Sequence, residues 1–235
     1  MTFRYIPSVS KTEQNKRRRW QEVVSRTLKK IKEGQRTKVL GSEFYLCPGV
    51  FAPLWMDSMI LAEVVRKEAK RGESVLDIGT GVGIQAILAA KKGAKVTATD
   101  ISKKALKCAA QNIERHKLGN RVEILRSDLF SNIKNKFDLI IFNPPFRWFH
   151  ARNTLERATV DRNYQVLNGF IKEAKKHLNN KGRIIMVWSS SADPAYLQQL
   201  MRKYRYRSQV LKKQKRDYGN GYMWENRVYE LKPLE

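Results

Sequence analysis

The sequence is poor in the residues that point to a metal centre, a disulfide framework or a membrane span. Its two cysteines, Cys47 and Cys108, form no CxxC pair, so we expect neither a zinc site nor a disulfide. The three histidines, His116, His150 and His177, have no ligand-like spacing, and no metal is assigned. No apolar stretch approaches the length that spans a bilayer. These features predict a soluble, unexported protein of a reducing cytoplasm.

Acidic residues are also scarce. The chain carries 47 Lys and Arg against 22 Asp and Glu, which gives a formal net charge of +25 at pH 7. A field of this size attracts polyanions and releases their counterions on binding, so RNA or a ribosome is the expected partner. A solubilising or thermophilic surface is the alternative, but thermophilic adaptation raises Glu together with Lys. The charge balance therefore favours nucleic acid.

Part of this charge lies on an amphipathic helix predicted over residues 12 to 33. Thr12 is the expected N-cap, and apolar residues recur on one helical face until the helix ends near Gly34. The cations of the other face either grip phosphates or are simply solvated. They are Lys16, Arg17, Arg18, Arg19, Arg26, Lys29, Lys30 and Lys32. A second basic run lies in residues 202–216. We expect a helical extension over residues 1–40 and a catalytic domain over residues 41–235.

From Ser74 onward, short β-branched runs alternate with helical stretches. This alternation predicts an α/β fold with a doubly wound, mostly parallel sheet covered by helices. A turn at residues 219–221 leaves no room for a crossover helix, so the last two strands should form an antiparallel hairpin at the sheet edge. The predicted strands lie near residues 74–79, 95–100, 121–127, 137–142, 183–189, 208–214 and 226–232. The predicted helices lie near residues 83–92, 102–117 and 160–178, with one capped by Asp57 or Ser58 and one opened by Pro194.

A glycine-rich turn follows the first of these strands, in Val75-Leu76-Asp77-Ile78-Gly79-Thr80-Gly81-Val82-Gly83. In a doubly wound sheet, ligands bind outside the carboxyl ends of the strands, and glycines there let the backbone come close to the ligand. This spacing also occurs in dinucleotide-binding proteins. The charge of Asp77 distinguishes a dinucleotide from a cationic cofactor, because a carboxylate repels a pyrophosphate but attracts a sulfonium and an ammonium. We therefore expect S-adenosylmethionine as the cofactor, with Gly79, Thr80, Gly81 and Gly83 around it.

Residues after the next two strands complete the predicted cofactor site. Asp100 ends the second strand about 20 residues after Gly79, where a carboxylate can accept both hydroxyls of a ribose. A helix N-cap is the alternative role for Asp100. Asp128 follows the third strand and is expected to accept the adenine amino group, with Leu129 and Ile101 packed on the ring. Turn or core roles for these residues remain open.

The segment Asn143-Pro144-Pro145-Phe146 follows the apolar fourth strand. A planar amine is a poor nucleophile because its lone pair is delocalised. If the Asn143 side-chain oxygen and the Pro144 carbonyl each accept one N–H, the nitrogen pyramidalises and its lone pair faces the methyl group. Two prolines stiffen the loop and remove competing donors, and Phe146 is expected to stack on a flat substrate. The segment predicts N-methylation without a separate general base; a plain turn after a buried strand is the alternative.

These motifs resemble those of the class I S-adenosylmethionine-dependent methyltransferases, in order from near Leu46 to the end of the chain. Within that class, Pro48-Gly49-Val50-Phe51, Asn143-Pro144-Pro145-Phe146 and His177-Leu178-Asn179-Asn180-Lys181-Gly182-Arg183 are similar to segments of the ribosomal RNA guanine-N2 methyltransferases. That resemblance implies base methylation in RNA. The stretch from Pro53 to Leu61 is similar instead to the HemK-type enzymes, which implies a protein glutamine as the acceptor.

Three functions follow from the sequence. The first is N-methylation of a base in ribosomal or transfer RNA. The second keeps the chemistry and changes the acceptor to a protein glutamine or a small amine-bearing molecule. The third is an RNA-binding module with a decayed donor site, against which the intact Asp77, Gly79, Gly81 and Asn143 argue.

Overall fold

The computed structural model describes residues 5–234, and residues 1–4 and 235 lie outside that range. Its helices are α1 (Lys11–Lys29), α2 (Met56–Glu68), α3 (Ile84–Lys91), α4 (Lys103–Arg115), α5 (Gln165–Ala174) and α6 (Pro194–Lys203). Its strands are β1 (Arg36–Val39), β2 (Ser42–Tyr45), β3 (Ser74–Ile78), β4 (Lys95–Asp100), β5 (Val122–Arg126), β6 (Phe137–Phe142), β7 (Leu178–Ser189), β8 (Tyr206–Asp217) and β9 (Met223–Pro233). Short 3₁₀ turns cover Glu156–Ala158, Arg162–Tyr164 and Lys175–His177. No helix in the described range combines the length and apolar character needed to cross a membrane.

Strands β3 to β9 form one sheet in the order β5-β4-β3-β6-β7-β9-β8. The strands β3 to β7 run parallel, and β9 pairs antiparallel with both β7 and β8. The predicted fold class, including the C-terminal hairpin at the sheet edge, is confirmed. The chain first winds outward from β3 to β5 and then returns to β6 on the other side of β3. This reversal opens a crevice between the carboxyl ends of β3 and β6, the usual ligand position in such sheets.

The helices pack on the sheet through apolar faces, and two of them approach each other closely beside the crevice. Gly83 precedes α3 with a φ of 91°, and a Cβ atom at this position would meet the Ala109 Cα atom of α4 at 3.4 Å. Glycine therefore serves both the backbone turn and the α3–α4 contact. The close packing holds the start of α3 in place behind the glycine-rich turn.

The N-terminal segment is packed into the same core. The Tyr5 hydroxyl donates to the Asp193 carboxylate, and Ser8 donates to it through its backbone N–H at 2.7 Å and its hydroxyl at 2.6 Å. Ser10 caps α1 by accepting from the Glu13 N–H, so the prediction of Thr12 as the cap was wrong. The first turn begins earlier because Asp193, far along the chain, holds the residues before it.

Several element boundaries differ from the predictions. The helix α1 ends at Lys29 rather than near residue 33, and the short hairpin of β1 and β2 was not predicted. Because this hairpin pairs residues on both sides of the 40/41 boundary, the proposed division into two parts stays a prediction. The helix α2 begins at Met56 after Trp55, so Asp57 and Ser58 lie in its first turn and do not cap it.

The predicted helix over residues 160–178 was too long at both ends. Asn163 and Tyr164 have φ values of 53° and 55°, which break the helical path before α5. After Ala174 the chain passes through a 3₁₀ turn into β7, which begins at Leu178 rather than near residue 183. Pairing with β6 and with β9 decides these limits, and local periodicity does not contain that information.

Cys47 and Cys108 are joined by a disulfide bond, which corrects the expectation that neither cysteine is paired. The bond ties the segment after β2 to α4. Asn112 of α4 strengthens the same contact, since its side chain accepts from the Tyr45 N–H at 2.8 Å and donates to the Tyr45 carbonyl at 3.1 Å. The expectation of a reducing compartment relied partly on unpaired cysteines and loses that support.

Candidate active site

A cleft of about 910 Å³ opens at the carboxyl ends of the parallel strands. One half is lined by the turn after β3 and by the residues that follow β4 and β5. The other half is lined by residues 143–147, by the loop before α5, and by parts of α1 and the β8–β9 hairpin. A volume near the upper limit of ordinary ligand pockets has room for two molecules side by side.

The glycine-rich turn forms the floor of the first half. Gly79 and Gly81 have φ values of 66° and 57°, a left-handed conformation that side chains disfavour. A Cβ atom at either position would have only ordinary contacts, so the backbone conformation is what requires glycine. Thr80, between them, is buried, and its hydroxyl donates to Asp77 Oδ2 at 2.6 Å.

Asp77 lies at the end of β3 with one oxygen held and one oxygen free. Its Oδ2 atom accepts from Thr80 and from the Ala86 N–H at 3.1 Å, while no described residue donates to its Oδ1 atom. Burial raises the pKa of Asp77 to about 7, and the nearby charge of Asp100 adds to this rise. The carboxylate therefore lines the cleft with an oxygen that can accept from a ligand.

Asp100 lies across the turn from Asp77. Its two oxygens accept from the Gly81 N–H at 3.1 Å and the Ser102 N–H at 2.9 Å, and burial raises its pKa. Ser102 itself is the N-cap of α4, so the alternative role of Asp100 as the cap is wrong. The backbone bonds leave further lone pairs on both oxygens available to a ligand.

The remaining predicted cofactor residues surround the same half of the cleft. Ile101 is half exposed, Asp128 is exposed, and Leu129 is half-buried with a φ of 47°. All three line the cleft. The structure thus brings together the residues predicted from three separate strand ends.

Asn143 stands where the two halves meet. Its Nδ2 atom donates to Asp57 Oδ2 at 3.1 Å and to Ser58 Oγ at 3.3 Å. Among the described residues, no donor bonds to Asn143 Oδ1 or to the Pro144 carbonyl. Two acceptors without protein donors therefore line the cleft beside the glycine-rich turn.

Phe146 and Arg147 continue this wall. The Phe146 ring is mostly buried and meets the edge of Trp188, with ring centroids 5.8 Å apart, so stacking on a substrate stays a prediction. Arg147 is buried, and its Nε atom donates to Gln21 of α1 at 2.7 Å. Burial lowers the pKa of Arg147 to about 10, while the charge of Asp57 raises it in part.

Aromatic residues from both ends of the chain close the far side of the cleft. Trp20 of α1 packs on Tyr218 with ring centroids 4.9 Å apart, and both line the cleft with Trp224 of β9. The Trp224 Nε1 atom is buried and has no hydrogen-bond partner among the described residues. Arg17 is buried against this cluster and pairs with Glu13, so it does not belong to the exposed basic face.

Sequence reasoning missed many residues that line the cleft, among them Asp57, Ser58, Gln85 and Arg147, and also Gln21, which supports Arg147. A first-turn position led to the interpretation of Asp57 and Ser58 as helix caps, while Gln85 and the supporting Gln21 carry no local signal. Arg147 did carry a local signal, because a charged residue between Phe146 and Trp148 in an aromatic run indicates a buried polar contact.

The order of the strands, the turn after β3 and the acidic ends of β3 and β4 are those of a class I methyltransferase. The chain belongs to the methyltransferase small domain family, whose model matches residues 41–217.

Two curated relatives differ in the acceptor that their names give. The "Ribosomal RNA small subunit methyltransferase C" of Haemophilus influenzae is 34% identical over 148 residues, which cover 62% of this chain and 41% of that protein. The "Putative protein N5-glutamine methyltransferase MJ0928" of Methanocaldococcus jannaschii is 34% identical over 167 residues, which cover 66% of this chain and 79% of that protein. The chain thus spans less than half of the length of the ribosomal RNA relative.

A solved structure has the same fold. The 16S rRNA N2 G1207 methyltransferase of T. Thermophilus, solved with AdoMet and guanosine, superposes with a TM-score of 0.61 at 23% identity. The match covers 85% of this chain and 50% of that one.

Proposed function

We propose that this protein is an S-adenosylmethionine-dependent N-methyltransferase that acts on a planar exocyclic amine of a base in RNA. The observation that carries the proposal is the pair of acceptors at Asn143 Oδ1 and the Pro144 carbonyl, which have no described donor and line a cleft shared with the glycine-rich turn. Two fixed acceptors match the two N–H bonds of an NH₂ group.

The residues of the first half suit the methyl donor. Asp77 Oδ1 and the buried, unpartnered Gln85 Oε1 are acceptors for an ammonium group. Asp100 is assigned to the ribose hydroxyls, Asp128 to the adenine amino group, and Ile101 and Leu129 to the ring faces. Gly79, Thr80, Gly81 and Gly83 are assigned to the turn around the donor. The polar atoms that would face the methyl donor are thus carboxylate and amide oxygens, which suit a positively charged ligand.

When bound, S-adenosylmethionine supplies a methyl carbon on a cationic sulfur, which keeps the bond pair as the acceptor nitrogen forms the new N–C bond. Asn143 and Pro144 hold the amine so that its lone pair faces the first half of the cleft, and Pro145 keeps the loop rigid. The methylated amine then releases one proton to solvent.

The charge at the cleft mouth favours RNA as the acceptor. Five exposed cations line the cleft, namely Lys103, Lys104, Arg126, Arg157 and Arg162. Cations at this position attract the phosphates that flank a base turned into the cleft. The exposed cations of α1 and of residues 202–216 extend this surface, and the RNA or ribosome would be met in the cytoplasm.

A protein glutamine is the second candidate acceptor. The glutamine methyltransferase relative supports it, because this chain covers 79% of that protein and only 41% of the ribosomal RNA relative. A glutamine amide also has an NH₂ group that fits the same two acceptors. The charge would then serve docking on a ribosome.

The test is transfer of a tritiated methyl group from the donor to total RNA and, separately, to ribosomal proteins and release factors. We expect label that nuclease releases and protease does not. Asn143→Ala should abolish most of this label while S-adenosylhomocysteine still binds in calorimetry, and Asp100→Ala should weaken that binding first. Label that only protease releases would move the assignment to the glutamine. If neither RNA nor protein is labelled and calorimetry shows no heat of binding, the remaining function is that of an RNA-binding module without catalysis.

A further inference from the structure

The direction of the Asn143 side chain is set by two residues far away in the sequence. Both lie in the first turn of α2, where Asp57 Oδ2 and Ser58 Oγ accept from Asn143 Nδ2 at 3.1 and 3.3 Å. Ser58 Oγ also donates to Asp57 Oδ2 at 3.5 Å. The hydroxyl proton is thereby directed at Asp57, and the Ser58 oxygen is left as an acceptor for the amide.

This polarity matters because the two ends of an asparagine amide have nearly the same shape. A 180° rotation of the amide would exchange its oxygen for its NH₂ group and would set donor against donor at the substrate amine. In the structure Asp57 Oδ2 accepts from the NH₂ end, and a carboxyl oxygen without a proton has nothing to donate to the amide oxygen that the rotated state would present. Backbone packing alone would not distinguish the two orientations.

Asp57 is buried, and the pKa of its carboxyl group is raised overall. Burial raises its pKa, while the bond from Asn143 and the N–H groups at the start of α2 lower it, together with the charge of Arg147. Arg147 makes no direct ion pair with Asp57 within the described residues; it bonds to Gln21 at 2.7 Å and to Ser191 at 3.4 Å. Asp57 Oδ2 is thus not taken up by Arg147, and it accepts from Asn143 and from Ser58.

We infer that Asp57 and Ser58 are positioning residues, which hold the Asn143 amide with Oδ1 toward the acceptor amine. The inference rests on the proposed function. Neither residue needs to touch the substrate for this role. Their effect on methyl transfer passes through Asn143.

A double-mutant cycle tests this role. Asp57→Asn keeps the shape of the side chain but adds an NH₂ group that can meet the Asn143 amide donor to donor. We expect kcat for methyl transfer to fall about 10- to 100-fold, because a small misplacement of a reacting group has effects of this size. Binding of S-adenosylhomocysteine in calorimetry should stay within about twofold of the wild type. In an Asn143→Ala background, Asp57→Asn should cause no further loss of kcat.

Ser58 gives a second variant that leaves the buried charge in place. Ser58→Ala should lower kcat less than Asp57→Asn does, and Ser58→Thr, which keeps the hydroxyl, should restore it. Glu63→Gln is the control. It removes a carboxylate from the same helix, but that carboxylate pairs with Lys212 and not with Asn143.

The cycle separates the inference from the proposed function. Wild-type kcat in Asp57→Asn, or an equal loss from Asp57→Asn with and without Asn143, would overturn the positioning role alone. Wild-type kcat in Asn143→Ala would overturn the proposed function, and the positioning role with it.

Discussion

The Asp77 carboxyl group has a charge that depends on pH in the neutral range. It is buried at the end of β3 beside Thr80 and the start of α3, and this burial raises its pKa to about 7. A raised pKa means that the group is neutral below pH 7 and negative above it. The group therefore attracts a cationic ligand fully only at pH values above its pKa.

We predict that affinity for S-adenosylhomocysteine, which carries an ammonium, falls by up to about tenfold between pH 8 and pH 6. Calorimetry at a series of pH values measures this change. Asp77→Asn should bind more weakly at pH 8 and should show little further change toward pH 6. A pH dependence that survives in this variant would belong to Asp100 instead, and equal wild-type affinity at both pH values would contradict the prediction.

At the scale of elements, the segment after β2 connects a disulfide to the cleft. Cys47 is bonded to Cys108 of α4, and Gly49, Val50 and Phe51, a few residues later, line the cleft. A cross-link between residues far apart in sequence restricts the unfolded chain and so stabilises the folded one. It also keeps these cleft residues beside the start of α4.

We predict that the double variant Cys47→Ser, Cys108→Ser loses about 2–4 kcal/mol of unfolding free energy. Denaturant unfolding measures the loss, and wild-type protein in a reductant should show a comparable one. The double variant itself should be insensitive to the reductant. Two free thiols in the unreduced, denatured wild-type protein would show that the bond does not form.

At the scale of the whole molecule, part of the excess positive charge lies at the mouth of the cleft. Exposed cations line the mouth, and the exposed face of α1 carries more of them. Protein cations that neutralise phosphates release counterions, so binding weakens as salt rises. The position of the cations, more than their number, should decide the effect.

We predict that Arg157→Gln combined with Arg162→Gln weakens RNA binding and lowers the magnitude of the slope of log K against log salt by about 1.4–1.8. Filter binding over a salt series gives the slope. Lys70→Gln with Lys95→Gln is the matched control, because these exposed cations lie at the opposite end of the parallel strands. The same slope change in both pairs would show that net charge alone attracts the RNA.

The sequence by itself determined the sheet, its C-terminal hairpin and the residues at the strand ends. Strand periodicity and glycine turns are local, and parallel strands end at one edge, so Asp77, Asp100, Asp128 and Asn143 could be assigned to one cleft from their positions in the chain. The family resemblance supported the same residues. Their individual roles toward donor and acceptor stay predictions.

Only the tertiary structure decided which distant residues meet. Asp57 bonds to Asn143, Arg147 bonds to Gln21, and Cys47 pairs with Cys108, each across a long stretch of chain. The limits of α5 and β7 also depended on neighbouring strands. Such contacts arise when separate elements pack on a common sheet, and side-chain spacing within one element carries no information about its partner.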